Sequence, residues 1–430
     1  QNFELSGKTE FNGYGSTAVQ GNIVAIILNG NLVEGISEGE EAAVVLDSTS
    51  FYAESGGQVG DHGLLISDSS EFSVTDCQKH GEHYLHIGIL SNGSMSVGEK
   101  VDSTVDMSIR LATEINHSAT HLLHAALRKV LGDDVIITEV ENVPEDSDSE
   151  RVITSLARKN DIVFTTSFGY MNPTANVAKR YPNVKFEHAT GYMPSKNVAN
   201  YQAKFYEGRH VLGRIAGGMT KNNIIGWVAS FPIPEVIRDI NSAFLAAKSV
   251  NPNVEMKIIW VYTWFDPGKE SNAANALIAQ GADVLFQHTA STAVMTAAED
   301  KGVYAFGQAS DMREWGPNAQ LTGIINDWGP YYVERVKAVR DGTWTSADSF
   351  EGIKQGMVKF APMNQKIPTD IKNDAMKAII DFAMEKVDPF TGPINKQDGT
   401  PWLGAGEIAP IADLMGMQFY VEGIESQFPN

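Results

Sequence analysis

The stretch VLFQHTASTAVMTAAEDKGVYAFGQASD, residues 284–311, holds two short apolar runs, 284–288 and 303–306, on either side of a helically spaced segment, 291–299. Neither run alternates with polar residues. Continuous apolar runs of this length read as strands buried on both faces of a parallel sheet, and the segment between them as the crossover helix. Working outward, the same grammar recurs. Further strands are expected at 136–140, 161–165, 184–187, 224–230, 256–262 and 321–325, and helices at 148–158, 173–180, 235–249, 269–280 and 330–341. Such alternation predicts a doubly wound α/β architecture. A long helix is expected over 198–217, after which Thr220-Lys221-Asn222-Asn223 opens a second βα set. Two α/β lobes with a cleft between them follow.

Toward the N-terminus the character changes. All 17 prolines and all seven tryptophans lie after Val135. The first 135 residues carry 6 Lys/Arg against 19 Asp/Glu, and 7 of the 10 histidines. They read as short strands at 23–28, 42–47, 63–67, 72–75, 83–89 and 100–106, punctuated by Asn29-Gly30, Gly56-Gly57 and Asn92-Gly93. One helix is expected over 108–131, stopped by Gly132. The organisation expected is therefore a small β-rich α+β module over 1–135 and a larger α/β module over 136–430.

The 430 residues, 43% hydrophobic with 39 glycines, suffice for buried cores and exclude disorder as the main state. A net charge of −20 repels phosphate at long range, so general nucleic-acid binding is not expected, and tRNA is an unlikely partner on charge alone. No apolar run reaches the length of a membrane span. The polar stretch 2–12 lacks the basic and apolar regions of a secretory signal. A single cysteine, Cys77, excludes an intramolecular disulfide framework and a multi-cysteine metal site.

Metal chemistry has one sequence signal. His117 and His121 stand four apart on the expected helix, a spacing that places two ligands on one face, with His124 three residues further on. Such a pair can chelate one ion, although two ligands do not complete a site and the pair equally suits a polar helix face. Cys77 and His80 have ligand-like spacing, but His80, His83 and His86 read more simply as decorating a strand and its turn. Gly35-Ile36-Ser37-Glu38-Gly39 fits a nucleophile pattern on paper, yet a strand rather than a helix follows it. Gly217-Gly218-Met219-Thr220-Lys221 is too short for a phosphate loop.

In the α/β part no nucleophile, base and orienting acid fall together. What falls at the strand ends is aromatic and polar: Phe168 and Tyr170; Trp264, Phe265 and Asp266; Gln308 and Asp311; and Trp328. Ligands bind outside the carboxyl ends of strands in such folds. Aromatic planes beside isolated carboxylates suit a nucleobase or a nucleoside. The expectation is recognition without catalysis and without a cofactor in this module.

Two resemblances bear on these readings. Residues 11–135 resemble alanyl-tRNA synthetase around the start of its editing domain, on Phe51-Tyr52-Ala53-Glu54-Ser55-Gly56-Gly57-Gln58-Val59-Gly60-Asp61 and Asn116-His117-Ser118-Ala119-Thr120-His121. That likeness implies zinc at His117 and His121 beside a deacylase site for mischarged alanine tRNA. The family's later Cys-x-x-x-His is absent, as is the aminoacylation core, so an inactive editing segment is expected. Residues 127–430 resemble the basic membrane protein family of purine nucleoside and nucleobase receptors, which work with ABC permeases. The carrying strings include Phe164-Thr165-Thr166-Ser167-Phe168-Gly169-Tyr170-Met171, Phe205-Tyr206-Glu207-Gly208-Arg209, Thr263-Trp264-Phe265-Asp266-Pro267-Gly268-Lys269-Glu270 and Ala305-Phe306-Gly307-Gln308-Ala309-Ser310-Asp311-Met312. This likeness implies a two-lobed type I periplasmic-binding-protein fold. Phe168 and Trp264 or Phe265 would stack on the base, and Asp311 would bind base or ribose. The family's first strand and its following loop are not found upstream of Leu127, so the first lobe is expected to lack a central strand and the chain to be a chimera. The receptor family is exported and the synthetase family cytoplasmic, which leaves the compartment open.

Overall fold

The computed structural model describes residues 7–12, 18–53, 60–106, 135–140 and 143–429. They fall into two compact units, Gln1–Pro144 and Glu145–Asn430.

In the first unit one sheet runs, in spatial order, Lys100–Val105, Gly63–Ile66, Glu71–His80, His83–Asn92, Glu41–Leu46, Ala18–Leu28 and Asn31–Val33. Lys100–Val105 also pairs antiparallel with Ala18–Leu28. Six strands thus close into an antiparallel barrel, which removes the free edges that an open sheet would present. They are the six strands expected from the sequence. Alternate residues point inward, so Ile26, Val44, Leu65, Phe72, Leu90 and Val101 form one apolar core. At Asn29-Gly30 both residues have positive φ, +50° and +78°, as a tight primed hairpin turn demands.

The Cys77–His80 pairing does not survive this geometry. Both lie on one strand at odd spacing, so they face opposite sides; Cys77 is fully buried and His80 is exposed. The expected helix over 108–131, with His117, His121 and His124, lies outside the described residues.

The second unit has two main sheets, besides a short antiparallel ribbon of Ile394–Asn395 and Pro401–Leu403. The first runs β1 (Ile162–Thr165), β2 (Lys185–Ala189), β3 (Val198–Ala203) and β9 (Ser349–Glu351), all parallel. The second runs β5 (Glu255–Trp260), β4 (Ile224–Ala229), β6 (Val284–His288), β7 (Tyr304–Gly307), β8 (Gln320–Asn326) and β10 (Val358–Phe360), parallel except for the last pair. Helices connect the strands: α1 (Ser147–Ala157), α2 (Met171–Arg180), α3 (Phe205–Met219), α4 (Pro234–Val250), α5 (Pro267–Ala279), α6 (Ala293–Lys301) and α7 (Gly329–Arg340), with α8 (Thr369–Ala383) following β10. The chain passes between the sheets three times, after β3, after β8 and after β9. This is the expected two-lobed, doubly wound arrangement.

Two expectations are corrected. Residues 136–140 form no strand; Ile136 is 87% and Val140 49% exposed. A short apolar run becomes a strand only when a neighbour supplies hydrogen bonds and a face to bury, and none of the described residues pairs with it. The segment 198–217 is not one helix but β3 followed by α3. Its first half is a fully buried parallel strand whose polar residues are held individually: the Asn200 amide donates to Asp348 Oδ1 at 3.0 Å and Gln202 Nε2 to the Gly191 carbonyl at 3.1 Å.

Candidate ligand-binding site

In the second sheet the chain moves from β4 to β5 on one side and to β6 on the other. That reversal makes a crevice at the carboxyl ends of β4 and β6, the place where open α/β sheets bind ligands. The residues leaving those ends are Ser230 and Phe231 from β4, and His288 and Thr289 from β6.

An arc of rings surrounds this point. Phe231 lies 5.1 Å from Trp264, Trp264 6.4 Å from His288, His288 6.1 Å from Phe205, Phe205 6.5 Å from Trp328, and Trp328 5.3 Å from Tyr201, all between ring centroids. The arc runs from the end of β4 to Tyr201 on β3, so it joins the carboxyl ends of both sheets. Trp264 is tethered through its carbonyl, which accepts from Ala290 N at 2.8 Å. Of the residues expected from sequence, Trp264 and Trp328 are thus brought into one constellation. Phe265 is 41% exposed beside them. Phe168 and Tyr170 sit on a short turn after β1, where Phe168 lies 6.3 Å from Tyr192; among the described residues no ring contact joins them to the arc.

Beneath the arc lies a buried polar layer. Arg209 on α3 donates through Nε to Asp239 Oδ2 at 3.2 Å and through Nη2 to the Gln287 carbonyl at 3.0 Å and to Gln308 Oε1. Its guanidinium also stacks over Trp227 at 5.0 Å. Glu235, in the first turn of α4, approaches His288 Nε2 at 3.6 Å and Arg238 at 3.9 Å. Burial pushes the Glu235 carboxyl up to about 7, with Asp239 adding to the rise and Arg238 and Arg209 opposing it. Burial likewise raises Asp239 to about 6 against the pull of the two arginines. His288 is held well below its ordinary value by burial and by both arginines, so it is neutral at pH 7. Among the described residues, Ser230 Oγ, Gln287 Oε1, Glu235 Oε2, His288 Nδ1 and Arg209 Nη1 are buried without a hydrogen-bond partner. Buried polar atoms are satisfied in native structures, so a cluster of this kind marks a place where water or a ligand's polar edge completes the bonding.

The two carboxylates expected to serve the ligand have partners of their own. Asp266 caps α5, accepting from Lys269 N at 2.9 Å. Asp311 accepts from Gln320 Nε2 at 2.8 Å and pairs with Arg313 at 2.6 Å; partial burial pushes its carboxyl up, but these bonds and the Arg313 charge outweigh it and hold its pKa below the usual carboxylate value. Phe205, Phe231, Arg209, Glu235 and His288 were not singled out as site residues from sequence. His288, the last residue of an expected strand, and Phe231, just beyond another, have a positional signal; Phe205, Arg209 and Glu235 depend on where α3 and α4 cross the sheet.

A surface groove of about 700 Å³ lies elsewhere, along α1, lined by residues such as Glu150, Arg151, Arg158 and Arg180. It contains none of the expected site residues, and its charges have partners nearby: Arg180 in Glu150 at 2.8 Å, Arg151 in Asp148 and Arg158 in the Tyr181 hydroxyl. Among the described residues no group of three His, Cys, Asp or Glu side chains could hold a metal, and no helix is long and apolar enough to cross a membrane.

Comparison with known proteins agrees with this architecture. The profile of the PnrA-like ABC transporter substrate-binding proteins matches residues 122–398, and that of the class II (A) tRNA synthetases matches residues 1–109. A purine-binding protein of Brucella abortus (strain 2308) is 52% identical over 304 residues, 70% of this chain and 87% of that protein. An alanine–tRNA ligase of Saccharophagus degradans is 49% identical over 131 residues, 30% of this chain; the chain spans only 15% of that ligase's length. Among solved structures, an ABC transporter solute-binding protein of Aeropyrum pernix K1 superposes with a TM-score of 0.53 at 19% identity, covering 62% of this chain and 87% of that one. The chain belongs to the PnrA-like family of ABC transporter substrate-binding proteins, and carries ahead of that module a segment similar to alanine–tRNA ligase.

Proposed function

We propose that the second unit binds a purine nucleobase or nucleoside at the crevice between β4 and β6 and delivers it to an ABC permease, without chemistry on the ligand. The observation that carries this reading is the arc Phe231–Trp264–His288–Phe205–Trp328 set over a buried layer of unpartnered polar atoms. A flat heteroaromatic solute satisfies both, stacking on rings and hydrogen-bonding through its edge. The 52% identical relative named for purine binding supports the ligand class. Phe168, Tyr170, Trp264, Phe265, Asp266, Gln308, Asp311 and Trp328 remain the proposed contacts, with Asp266 and Asp311 acting once their present partners are exchanged for ligand. Because all seven tryptophans lie after Val135, intrinsic fluorescence reports on this unit. Titration with adenine, hypoxanthine, adenosine and inosine is expected to give saturable quenching, and glucose none. A flat response to every purine at millimolar concentration rejects the proposal.

The first unit has a second reading, a zinc-dependent deacylase of mischarged alanine tRNA, favoured by its 49% identity to an alanine–tRNA ligase. Stoichiometric zinc in the purified protein and a seryl-tRNA deacylation lost in His117→Ala support it. Zinc-free protein without deacylation rejects it.

A further inference from the structure

Gln308 leaves the carboxyl end of β7 half-buried, and its amide has two faces of opposite hydrogen-bonding character. One face is committed. Its Oε1 accepts from Nη2 of Arg209, a side chain only 1% exposed that is itself locked by Asp239, the Gln287 carbonyl and the ring of Trp227. A guanidinium carries donors only, so the amide oxygen must face it and the amide cannot flip without setting N–H against N–H. Among the described residues none accepts from Gln308 Nε2.

We propose that Arg209 is a positioning residue for the ligand site: by holding Gln308 Oε1 it presents Gln308 Nε2 as a fixed donor at the end of β7. The ligand must then place an acceptor there, a ring nitrogen with a free lone pair or an exocyclic carbonyl, and an N–H or C–H at that position is discriminated against. This rests on the purine reading for the identity of the ligand, but not for the orientation of the amide. The selectivity arises from an apposition that sequence alone does not show, since Arg209 and Gln308 are 99 residues apart.

The test uses the full chain and three probes: adenine, 3-deazaadenine and 7-deazaadenine, each of the latter lacking one ring acceptor. In the wild type, one deaza analogue is expected to bind about tenfold more weakly than adenine, the worth of one hydrogen bond. Gln308→Glu keeps an oxygen for Arg209 and loses the donor. It is expected to bind adenine about tenfold more weakly and to lose the distinction between adenine and that analogue. A merely structural role for Gln308 leaves the analogue ratio unchanged. Equal ratios in wild type and variant, or undiminished adenine affinity in Gln308→Glu, overturn the proposal. Chemical denaturation without ligand separates it from the purine reading. Gln308→Glu is expected to unfold at or above the wild-type midpoint, because its carboxylate meets Arg209, and Gln308→Lys well below it. A lowered midpoint for Gln308→Glu overturns the amide orientation. A wild type that binds no purine while showing the expected midpoints overturns the purine reading alone.

Discussion

Two tryptophans carry most of the recognition surface proposed for this molecule. Trp264 and Trp328 flank His288 and Phe205 at ring distances of 6.4 and 6.5 Å, and each is only partly buried against the main core. Removing one stacking ring costs about 1–3 kcal/mol of base binding. Trp264→Ala and Trp328→Ala are each expected to weaken purine affinity about tenfold to a hundredfold in a fluorescence or calorimetric titration; Phe265→Ala, whose ring is 41% exposed, is expected to cost less. Histidines make a second prediction. Burial lowers His86, His188 and His210 to about 4, with Arg214 helping at His210, and holds His288 well below its ordinary value. Their unfolded values are near 6.5, so between pH 6.5 and 4 the unfolded chain binds protons that the folded chain refuses, and stability falls as pH falls. Glu235, raised to about 7, works the other way, losing stability as pH rises from about 4.5 through 7. Asp239, raised to about 6, acts with it. Thermal melts across this range should decline on the acid side, and Glu235→Gln should remove part of the opposing contribution and steepen that decline.

Among the elements, helix packing sets the positions of the site residues. Gly213 on α3 meets α4 so closely that a Cβ would stand 2.2 Å from the Ala243 carbonyl oxygen. Gly213→Val must push apart the two helices that hold Arg209 and Glu235. A loss of about 1–3 kcal/mol, read by urea denaturation, is expected, together with weakened ligand binding. Legibility in the sequence followed local pattern. The apolar runs at 224–230, 284–288 and 321–325 are strands buried almost throughout, and that is visible in one dimension; 256–262 gives the half-buried edge strand β5, and its last residue, Tyr262, is 56% exposed. The strand Val198–Ala203 was not legible, because its buried Asn200 and Gln202 read as the polar side of a helix and find their partners far along the chain or across a loop, Asn200 in Asp348 and Gln202 in the Gly191 carbonyl and Arg238. Residues 136–140 show the converse, an apolar run left without a partner. Trp264 and Trp328 could be picked out at strand ends, whereas Arg209 and Glu235 could not, since their importance comes from helices crossing behind the sheet.

For the molecule as a whole, the two units have separate cores. The barrel closes around Ile26, Val44, Phe72 and Leu90, and the larger unit packs around Trp227, Phe286, Phe306 and their neighbours. The acidic imbalance is concentrated in the first 135 residues, with 19 acids against 6 bases, which opposes the approach of a polyanion to the segment resembling a tRNA enzyme. Separate cores predict separable unfolding. Calorimetric scans should show two transitions, of which only the larger unit's moves with purine, by about 2.7 kcal/mol at a hundredfold excess over Kd. The measurement closest to the central claim is isothermal titration of the full chain with adenine and hypoxanthine, alongside Trp264→Ala. The account predicts one saturable site in the wild type and a loss of at least tenfold in the variant. Heats indistinguishable from dilution in the wild type, or equal affinity in both proteins, would contradict it.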